Sequence, residues 1–333
     1  MTVADTARSH EGTTAPASTV AVVIPCRNEA ATVGDVVAGF RRCVPHASIV
    51  VADNGSTDDT AAIATAAGAR VIGEPHPGKG NAIRRLFADI DADCFVMVDG
   101  DATYDPETAP AMIAEVLEHG TDMVVGRRVG VDGAFRPGHQ LGNRVFSWTF
   151  RRLFRIALDD TLSGYRALSR RFVKTFPILS KGFEVETDLN AHAASLGLSY
   201  REIDTSYRNR PEGSHSKLGT WSDGLRIMRR LLRLFRDWRP LLSFSVIGLS
   251  LMAVATVVAA PVVISFARTG LVERQPTLIV AVTSYIIGFG LIGVGMILER
   301  IARVRLEVTR LLYLSMPSLK GSGGPAAPTS ERP

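Results

Sequence analysis

Cysteine is scarce in this sequence: Cys26, Cys43 and Cys94 are the only three among 333 residues. They lie in or near apolar runs and lack the paired spacing of a thiolate metal site. We therefore expect buried, reduced thiols in a cytosolic domain. An apolar leader is lacking too, because residues 1–18 are rich in Thr, Ala, Ser and Gly. That composition predicts a disordered tail and not a signal peptide.

Charge is missing from two long stretches, Leu241–Ala267 and Pro276–Leu298. Each exceeds the roughly 20 residues that a helix needs to cross a hydrocarbon layer of ~30 Å. A buried helix of a soluble protein rarely stays uncharged for so long, so we predict two transmembrane helices. Small residues in the second stretch would let it approach the first helix or a partner subunit closely. These are Gly288, Gly290, Gly293 and Gly295.

Arginine is unevenly distributed around the two stretches, so the net charge of +5 reflects local patches and not a general nucleic-acid surface. The positive-inside rule places both termini and the N-terminal region in the cytoplasm. Residues 225–239, where arginine alternates with large apolar residues, predict either a helix lying in the membrane interface or an ordinary basic flank. The arginines before, between and after the stretches are Arg226, Arg229, Arg230, Arg233, Arg236 and Arg239, then Arg268 and Arg274, then Arg300, Arg303, Arg305 and Arg310.

Apolar runs alternate with helical patterns in the N-terminal region. This alternation predicts an α/β domain with a mostly parallel sheet, in which ligands bind beyond the carboxyl ends of the strands. Polar clusters follow three of the runs, at that edge: Pro25–Glu29, Asp53–Asp58 and Asp99–Asp101. The runs are Val20–Ile24, Ile49–Ala52, Val71–Ile72, Cys94–Val98 and Met123–Val125, and the helical patterns are Ala30–Arg42, Asp58–Ala67, Asn81–Phe87 and Glu107–Glu118.

The most specific cluster is Asp99-Gly100-Asp101, directly after an apolar run. Alternation along an extended chain points both carboxylates the same way, and Gly100 lets the backbone bend between them. Two hard oxygen ligands suit Mg²⁺ or Mn²⁺, particularly when a diphosphate supplies further ligands. The alternative is an acidic turn with two solvated aspartates.

The other clusters admit a binding and a structural interpretation each. Asp53 can accept hydrogen bonds from a nucleobase, or form an Asx-turn with Ser56. Asn28 and Glu29 either face the ligand edge or cap the following helix and favour its first turn. Lys79, between two glycines, can reach phosphate, although the spacing is not that of a Walker loop.

These clusters together carry a resemblance. Val22-Val23-Ile24-Pro25-Cys26-Arg27-Asn28-Glu29, Asp53-Asn54-Gly55-Ser56-Thr57-Asp58, Gly78-Lys79-Gly80 and Asp99-Gly100-Asp101 resemble family 2 glycosyltransferases of the GT-A fold. Within that family the chain is similar to the polyprenyl-phosphate glycosyltransferases, from about Val20 to Trp238. Further matching stretches are Gly126-Arg127-Arg128, Asp160-Thr161-Leu162-Ser163-Gly164-Tyr165-Arg166 and Arg210-Pro211-Glu212-Gly213-Ser214-His215-Ser216-Lys217.

The resemblance implies a role for each matching residue. Asp99 and Asp101 would hold Mg²⁺ or Mn²⁺ on the donor diphosphate, and Asp53 would contact the base. Asp101 and Asp160 are the catalytic candidates, the latter as an auxiliary carboxylate or as part of a structural turn. The acceptor phosphate would be bound by Arg128, Arg144 and Ser216. The donor nucleotide sugar would be bound by Pro25, Arg27, Asn28, Glu29, Asp53, Lys79, Asp99, Gly100, Asp101, Arg210 and Lys217.

The expected activity is the inverting transfer of a hexose from a UDP- or GDP-sugar to a polyprenyl phosphate, at the cytoplasmic face of a bacterial-type plasma membrane. Thr103 and His215 depart from the pattern of mannose synthases, so the sugar stays open. The alternatives are transfer to a hydroxyl of a glycolipid or polysaccharide, and a non-catalytic nucleotide-sugar-binding scaffold. A homo-oligomer is compatible with the glycine-rich second stretch.

The expected division of the chain follows from these patterns. Residues 1–18 form a disordered tail, 19–224 the cytoplasmic GT-A domain, 225–239 a basic juxtamembrane segment, 240–299 the two transmembrane helices, and 300–333 a basic flank with a second disordered tail.

Overall fold

The computed structural model describes residues 18–130, 157–178, 185–208, 235–272 and 274–317. Within them, seven strands form one sheet in the order β3-β2-β1-β4-β6-β5-β7. The strands are β1 (Val20–Cys26), β2 (Ser48–Asp53), β3 (Arg70–Gly73), β4 (Cys94–Met97), β5 (Met123–Gly130), β6 (Arg166–Ser169) and β7 (Tyr200–Tyr207). The helices are α1 (Val33–Cys43), α2 (Thr60–Ala66), α3 (Lys79–Asp89), a 3₁₀ turn (Pro106–Thr108), α4 (Ala109–Leu117), α5 (Arg170–Thr175), α6 (Val185–Leu196), α7 (Pro240–Thr269) and α8 (Gln275–Ser315).

The α/β fold class with a mostly parallel sheet is confirmed. β1 pairs in parallel with β2 and β4, β2 with β3, and β5 with β7. β6 is the exception, because it runs antiparallel between β4 and β5. The carboxyl ends of β1, β2 and β4 therefore lie at one edge of the sheet, as the sequence predicts, while β6 ends at the opposite edge.

Both faces of the sheet are buried, which explains why the parallel strands are continuous apolar runs. Along β1, Ala21 and Val23 belong to one core cluster, and Val22 and Ile24 to the other. Burying one such side chain contributes about 1.5–3 kcal/mol. Among the described residues, α3, α5 and α6 pack on one face, and α1, α2 and α4 pack on the other.

Helices α7 and α8 are long and apolar enough to cross a membrane, and they pack against each other. A Cβ on Gly248 would stand 2.7 Å from the carbonyl oxygen of Gly288, so glycine lets the two backbones meet. Gly295 approaches Pro240 and Leu241 in the same way. At Gly290 and Gly293 a Cβ would meet no atom of the described residues within 4 Å.

Helix α8 extends beyond its uncharged run, through the segment that the sequence predicts as a basic flank, and ends at Ser315. Residues 299–315 contain no glycine or proline, and Pro317 then prevents continuation. Most of the predicted juxtamembrane segment, and both predicted tails from 1–17 and from 318 onward, lie outside the described residues.

Candidate active site

The loops after β1 and β2 are joined to each other at the carboxyl edge. The Asn28 side-chain oxygen accepts a hydrogen bond from the Thr57 backbone at 2.8 Å, and the Asn28 backbone donates to Ser56 Oγ at 3.0 Å. Asn28 has a left-handed backbone with φ 52°, a conformation that asparagine tolerates. Asn28 does not cap the next helix, because α1 begins only at Val33 with Thr32 at its N-cap position. Its side chain instead fixes the shape of the candidate donor edge.

Further hydrogen bonds hold the loops after β1 and β2 in place. Glu29 lies in the loop and not in the first turn of α1 as predicted, because α1 begins only at Val33. Its backbone N–H donates to Thr60 Oγ1 at 2.9 Å. Pro25 is half-buried inside β1 and Arg27 is exposed at the tip. Asp53 ends β2 and accepts the Ser56 backbone N–H at 3.2 Å, which confirms the Asx-turn.

The tip of β4 carries the candidate metal ligands. Gly100 is required there, since a Cβ would stand 2.5 Å from the Cys26 sulfur. Its carbonyl accepts a hydrogen bond from Thr32 Oγ1 at 2.7 Å. Asp101 is 4% exposed, and its Oδ1 accepts bonds from the Thr103 hydroxyl at 2.6 Å and backbone N–H at 3.2 Å. Thr103 thus supports the turn, while the side chain of Asp99 stays 28% exposed.

Lys79 joins Asp99 to a residue that sequence reasoning missed. Its ammonium lies 2.5 Å from Asp99 Oδ1 and 2.5 Å from Glu186 Oε1 on α6. Burial opposes the charge of Lys79, but the two carboxylates outweigh it and raise the pKa of Lys79 above its usual range. Asn54 orients the preceding loop, because its side-chain oxygen accepts the Gly78 N–H at 2.6 Å. The lysine is therefore a permanent cation beside Asp99, one of the two candidate metal ligands.

The donor set fits Mg²⁺ or Mn²⁺. Magnesium sites commonly use one or two carboxylates together with substrate phosphates. Asp99 and Asp101 supply two such carboxylates, and in the described part of the chain no group of three or more His, Cys, Asp or Glu is placed to hold a metal by itself. A two-carboxylate site completed by a diphosphate agrees with both observations.

On β5, which is separated from β4 by β6, Arg128 forms a bidentate pair with Asp160. Nε lies 2.7 Å from Oδ2 and Nη2 lies 2.7 Å from Oδ1, while the Arg128 backbone donates to Oδ2 at 3.1 Å. Burial disfavours the Asp160 carboxylate, yet these bonds and the arginine charge lower the pKa of Asp160 below its usual range. The Tyr207 ring lies 5.3 Å from the guanidinium carbon. Arg127 points elsewhere and pairs with exposed Asp204 at 2.6 Å.

The loop from Asp160 to Gly164 brings Arg128 and Asp99 into one site. Ser163 Oγ donates to the Gly126 carbonyl at 2.6 Å, which anchors the loop to β5. Gly164 N–H donates to the Tyr104 hydroxyl at 2.8 Å. Gly164 packs so tightly on Asp99 that a Cβ would stand 2.4 Å from Oδ2. One end of this short loop therefore holds the arginine, and the other end touches the carboxylate.

Arg166 lies fully buried beneath this loop. It belongs to the matching stretch of the sequence, but the sequence did not predict its structural role. Arg166 donates to Asn190 Oδ1 at 2.6 Å and to the carbonyls of Ser163 at 3.0 Å and Thr161 at 3.1 Å. Burial lowers the pKa of Arg166 to about 10. A polar residue inside a short strand was the only local signal of this network. Arg144, Arg210, Ser216 and Lys217 lie outside the described residues.

Comparison with known proteins identifies the family and the fold. The model of the family described as "Glycosyl transferase family 2" matches residues 21–175. Glycosyltransferase AglJ of Haloferax volcanii is 31% identical over 294 residues, covering 86% of this chain and 95% of AglJ. A dolichyl-phosphate hexose transferase of the same organism is 28% identical over 221 residues, covering 66% of this chain and 95% of the relative.

Solved structures resemble the N-terminal domain. Glucosyl-3-phosphoglycerate synthase of Mycobacterium tuberculosis, in complex with Mn²⁺, uridine diphosphate and phosphoglyceric acid, superposes with a TM-score of 0.52 at 25% identity. The superposition covers 66% of this chain and 78% of that one. Fold and site together define a hexosyltransferase of the GT-A type. The chain belongs to glycosyltransferase family 2.

Proposed function

We propose that the enzyme transfers a hexose from a nucleoside diphosphate sugar to a polyprenyl phosphate at the cytoplasmic face of the membrane, with inversion and with a divalent metal. The observation that carries this proposal is the loop between Asp160 and Gly164. It joins Arg128, a cation suited to a phosphate acceptor, to Asp99, an anion suited to a metal-bound donor. The same chain carries two helices of membrane-spanning length.

The donor half of the proposed site is the edge formed by β1, β2 and β4. Asp53 accepts from the base, and Lys79 neutralises the diphosphate when the nucleotide sugar enters. Asp99 and Asp101 would hold Mg²⁺ or Mn²⁺, which when bound neutralises the departing diphosphate as a Lewis acid. Glu186 keeps the Lys79 ammonium at this edge through its 2.5 Å contact.

The acceptor half is centred on Arg128, with Arg144 and Ser216 proposed as further phosphate ligands. A phosphate monoester has a second pKa of about 6, so it is already largely anionic at neutral pH and needs little help from a base. Asp160 would be a weak base, because Arg128 lowers its pKa. Asp160 therefore acts by orienting Arg128, which disfavours the alternative of a hydroxyl acceptor.

The proposed reaction is a single displacement. An oxygen of the polyprenyl phosphate forms a bond to the anomeric carbon, and the bond from that carbon to the donor diphosphate breaks. The electron pair leaves with the nucleoside diphosphate. Attack from the face opposite the leaving group inverts the anomeric configuration. Arginine is needed to bring the two anions together, and Arg128 supplies that charge.

The membrane helices explain how the acceptor arrives. The arginines around α7 and α8 favour a cytoplasmic catalytic domain by the positive-inside rule. One relative's name, dolichyl-phosphate hexose transferase, is consistent with a lipid-phosphate acceptor. The division into a domain over 19–224, a juxtamembrane segment over 225–239 and a membrane part over 240–299 belongs to the same proposal.

The test is product identification with purified enzyme in bilayers, a panel of UDP- and GDP-sugars, and a polyprenyl phosphate. Mass spectrometry should find a polyprenyl-phosphate sugar that mild acid hydrolyses. Asp99→Asn with Asp101→Asn, or a chelator, should abolish its formation, whereas Asp91→Asn at the opposite edge should not. An acid-stable glycoside would favour the hydroxyl acceptor instead. Full activity of the double variant in chelator would refute the metal site.

A further inference from the structure

The C-terminal part of α8 continues beyond the uncharged run and ends at Ser315. We define the arm as residues 299–315, the part of α8 beyond its uncharged run. At roughly 1.5 Å per residue the arm is about 26 Å long. Gly295 packs against Pro240 and Leu241 at the beginning of α7, so both helices leave the apolar layer at that level. The arm therefore projects from the membrane surface.

The arm ends on the catalytic domain through directed contacts. Tyr313 donates its hydroxyl to Asp122 Oδ1 at 2.8 Å. Arg171 on α5 donates to the carbonyls of Met316 at 2.6 Å and Pro317 at 3.1 Å, and its guanidinium carbon lies 5.2 Å from the centre of the Tyr313 ring. Carbonyls at a helix C-terminus lack helical partners and attract cations, so Arg171 binds the end of the arm.

The side chain of Asp122 is held in place by hydrogen bonds from residues of the sheet and its loops. Its Oδ1 accepts a bond from Ser169 Oγ at the end of β6, and its Oδ2 from Ser199 Oγ just before β7, both at 3.0 Å. Met123, the next residue, begins β5. These positions all lie at the amino edge of the parallel strands. The arm is thus fastened to the edge opposite the candidate active site.

A second contact shows how the domain lies against the arm. Trp238, two residues before the start of α7, packs on the same hydrophobic core cluster as Tyr313. One contact is at the membrane level and the other is at the far end of the arm, so the domain lies beside the arm and not beyond it. From Met123 to Arg128, β5 rises about 17 Å at roughly 3.3 Å per residue. The carboxyl edge therefore lies about this length of strand away from the end of the arm.

We propose that the arm is a spacer that sets the height and orientation of the active site above the bilayer, with Tyr313 and Arg171 as positioning residues. This inference rests on the proposed function, because it concerns delivery of a lipid phosphate to Arg128. Neither residue touches the reacting groups. Their effect is confined to an acceptor that is held in a membrane.

The kinetic test compares two acceptors with the double variant Arg171→Ala, Tyr313→Phe. For a bilayer-embedded polyprenyl phosphate, the KM should rise about tenfold. For a water-soluble short-chain isoprenyl phosphate, KM and kcat should stay within about twofold, as should the KM of the nucleotide sugar. Tyr285→Phe is the matched control, because it removes a hydroxyl between α7 and α8 and should leave both acceptors unchanged. Equal losses with both acceptors, or no loss with either, would overturn the inference.

A distance measurement keeps this inference separate from the proposed function. The exposed residue His119, after α4, is replaced by Cys in a Cys43→Ser background and labelled with a fluorescent dye. Resonance energy transfer from this dye to a second dye at the bilayer surface reports the distance between them. The double variant should lower or broaden the transfer, and Tyr285→Phe should not. Unchanged transfer in the double variant would overturn the spacer. If the unaltered enzyme glycosylates no isoprenyl phosphate of either kind, the proposed function fails, while the energy transfer still decides the arm.

Discussion

Arg128 and Asp160 hold each other in a fixed plane by two parallel hydrogen bonds of 2.7 Å. Such a fork is rigid as well as strong, so the guanidinium is oriented before any substrate binds. Removing one partner of a buried pair typically costs about 3–5 kcal/mol, because the other charge is left alone. The carboxylate thus determines where the arginine points, and the arginine keeps the carboxylate ionised.

Replacing Asp160 by Asn should therefore weaken acceptor binding more than it slows the chemistry. We expect the KM of the polyprenyl phosphate to rise about tenfold or more, and steady-state kinetics in bilayers will measure it. Asp159→Asn is the matched control, since that side chain is 58% exposed beside Arg127.

The pH dependence separates orientation from base catalysis by Asp160. Because the folded pKa of Asp160 is lowered below the ordinary aspartate value of 3.8, the ionised pair is complete above that pH and is lost only as the pH falls through the folded pKa. Between about pH 6 and 9 the kcat profile of Asp160→Asn should keep the shape of the parent profile. Loss of an acidic limb in that window would mean that Asp160 is the base.

The buried side chain of His192 predicts how the stability of the folded protein depends on pH. Its ring is enclosed by Phe172 at 5.0 Å and Phe176 at 5.4 Å between ring centres, and burial lowers the pKa of His192 to about 4. The unfolded chain binds a proton near pH 6.5 and the folded one does not, so stability falls as the pH drops from 6.5 toward 4. Between pH 7 and 5 this amounts to about 2 kcal/mol.

The measurement is thermal unfolding of the purified protein at the two pH values. His192→Gln should lose less stability on acidification than the parent does, because glutamine does not titrate. His119→Gln, at a side chain that is 60% exposed, should behave like the parent. An unchanged pH dependence in His192→Gln would contradict the assignment.

At the scale of elements, α7 and α8 meet closely at Gly248, Gly288 and Gly295, whereas a Cβ at Gly290 or Gly293 would meet no atom of the described residues within 4 Å. Gly248→Ala would place a methyl group 2.7 Å from the Gly288 carbonyl oxygen, and a backbone atom cannot move aside cheaply. We expect α7 and α8 to separate, with a fall in Tm in detergent. Gly293→Ala, where space is open among the described residues, should leave Tm unchanged or raise it, since alanine favours helix by about 1 kcal/mol. Equal falls in both variants would contradict the packing.

Strands and helices differed in how well the sequence predicted them, for physical reasons. β1, β2 and β4 were found because parallel strands buried on both faces are continuous apolar runs. β3 and β5 were found from the shorter apolar runs that they contain. β6 was missed because it begins with the buried Arg166, and β7 because its residues alternate at the edge of the sheet. α6 was missed because it buries polar residues, among them Glu186 and Asn190. Their partners lie far away along the chain, which no local pattern reveals.

The residues of the candidate site also differ in how well the sequence predicts their positions. The carboxyl edge follows from strand order alone, so the clustering of Asn28, Asp53 and Asp99 was predictable. The Lys79–Glu186 contact joins residues 107 positions apart, and the docking of Tyr313 on Asp122 joins residues 191 apart. Such pairs depend on how whole elements pack, and only the folded molecule shows them.

At the scale of the whole molecule, the proposed site has a donor half and a lipid-phosphate half, and the same chain carries two helices long and apolar enough to cross a membrane. The donor half is built from the loops of β1, β2 and β4, and the acceptor half from β5 and the loop from Asp160 to Gly164. The two halves should be separable by mutation, because Arg128 is paired with Asp160 whereas Asp99 is paired with Lys79.

The most direct measurement is therefore the KM of both substrates for Arg128→Ala, with Arg127→Ala as the control one residue away. We predict a rise of about tenfold or more in the KM of the polyprenyl phosphate, with the KM of the nucleotide sugar within about twofold and the control near the parent. A parallel rise in both KM values, or an acceptor KM that does not change, would contradict a two-part site centred on Arg128.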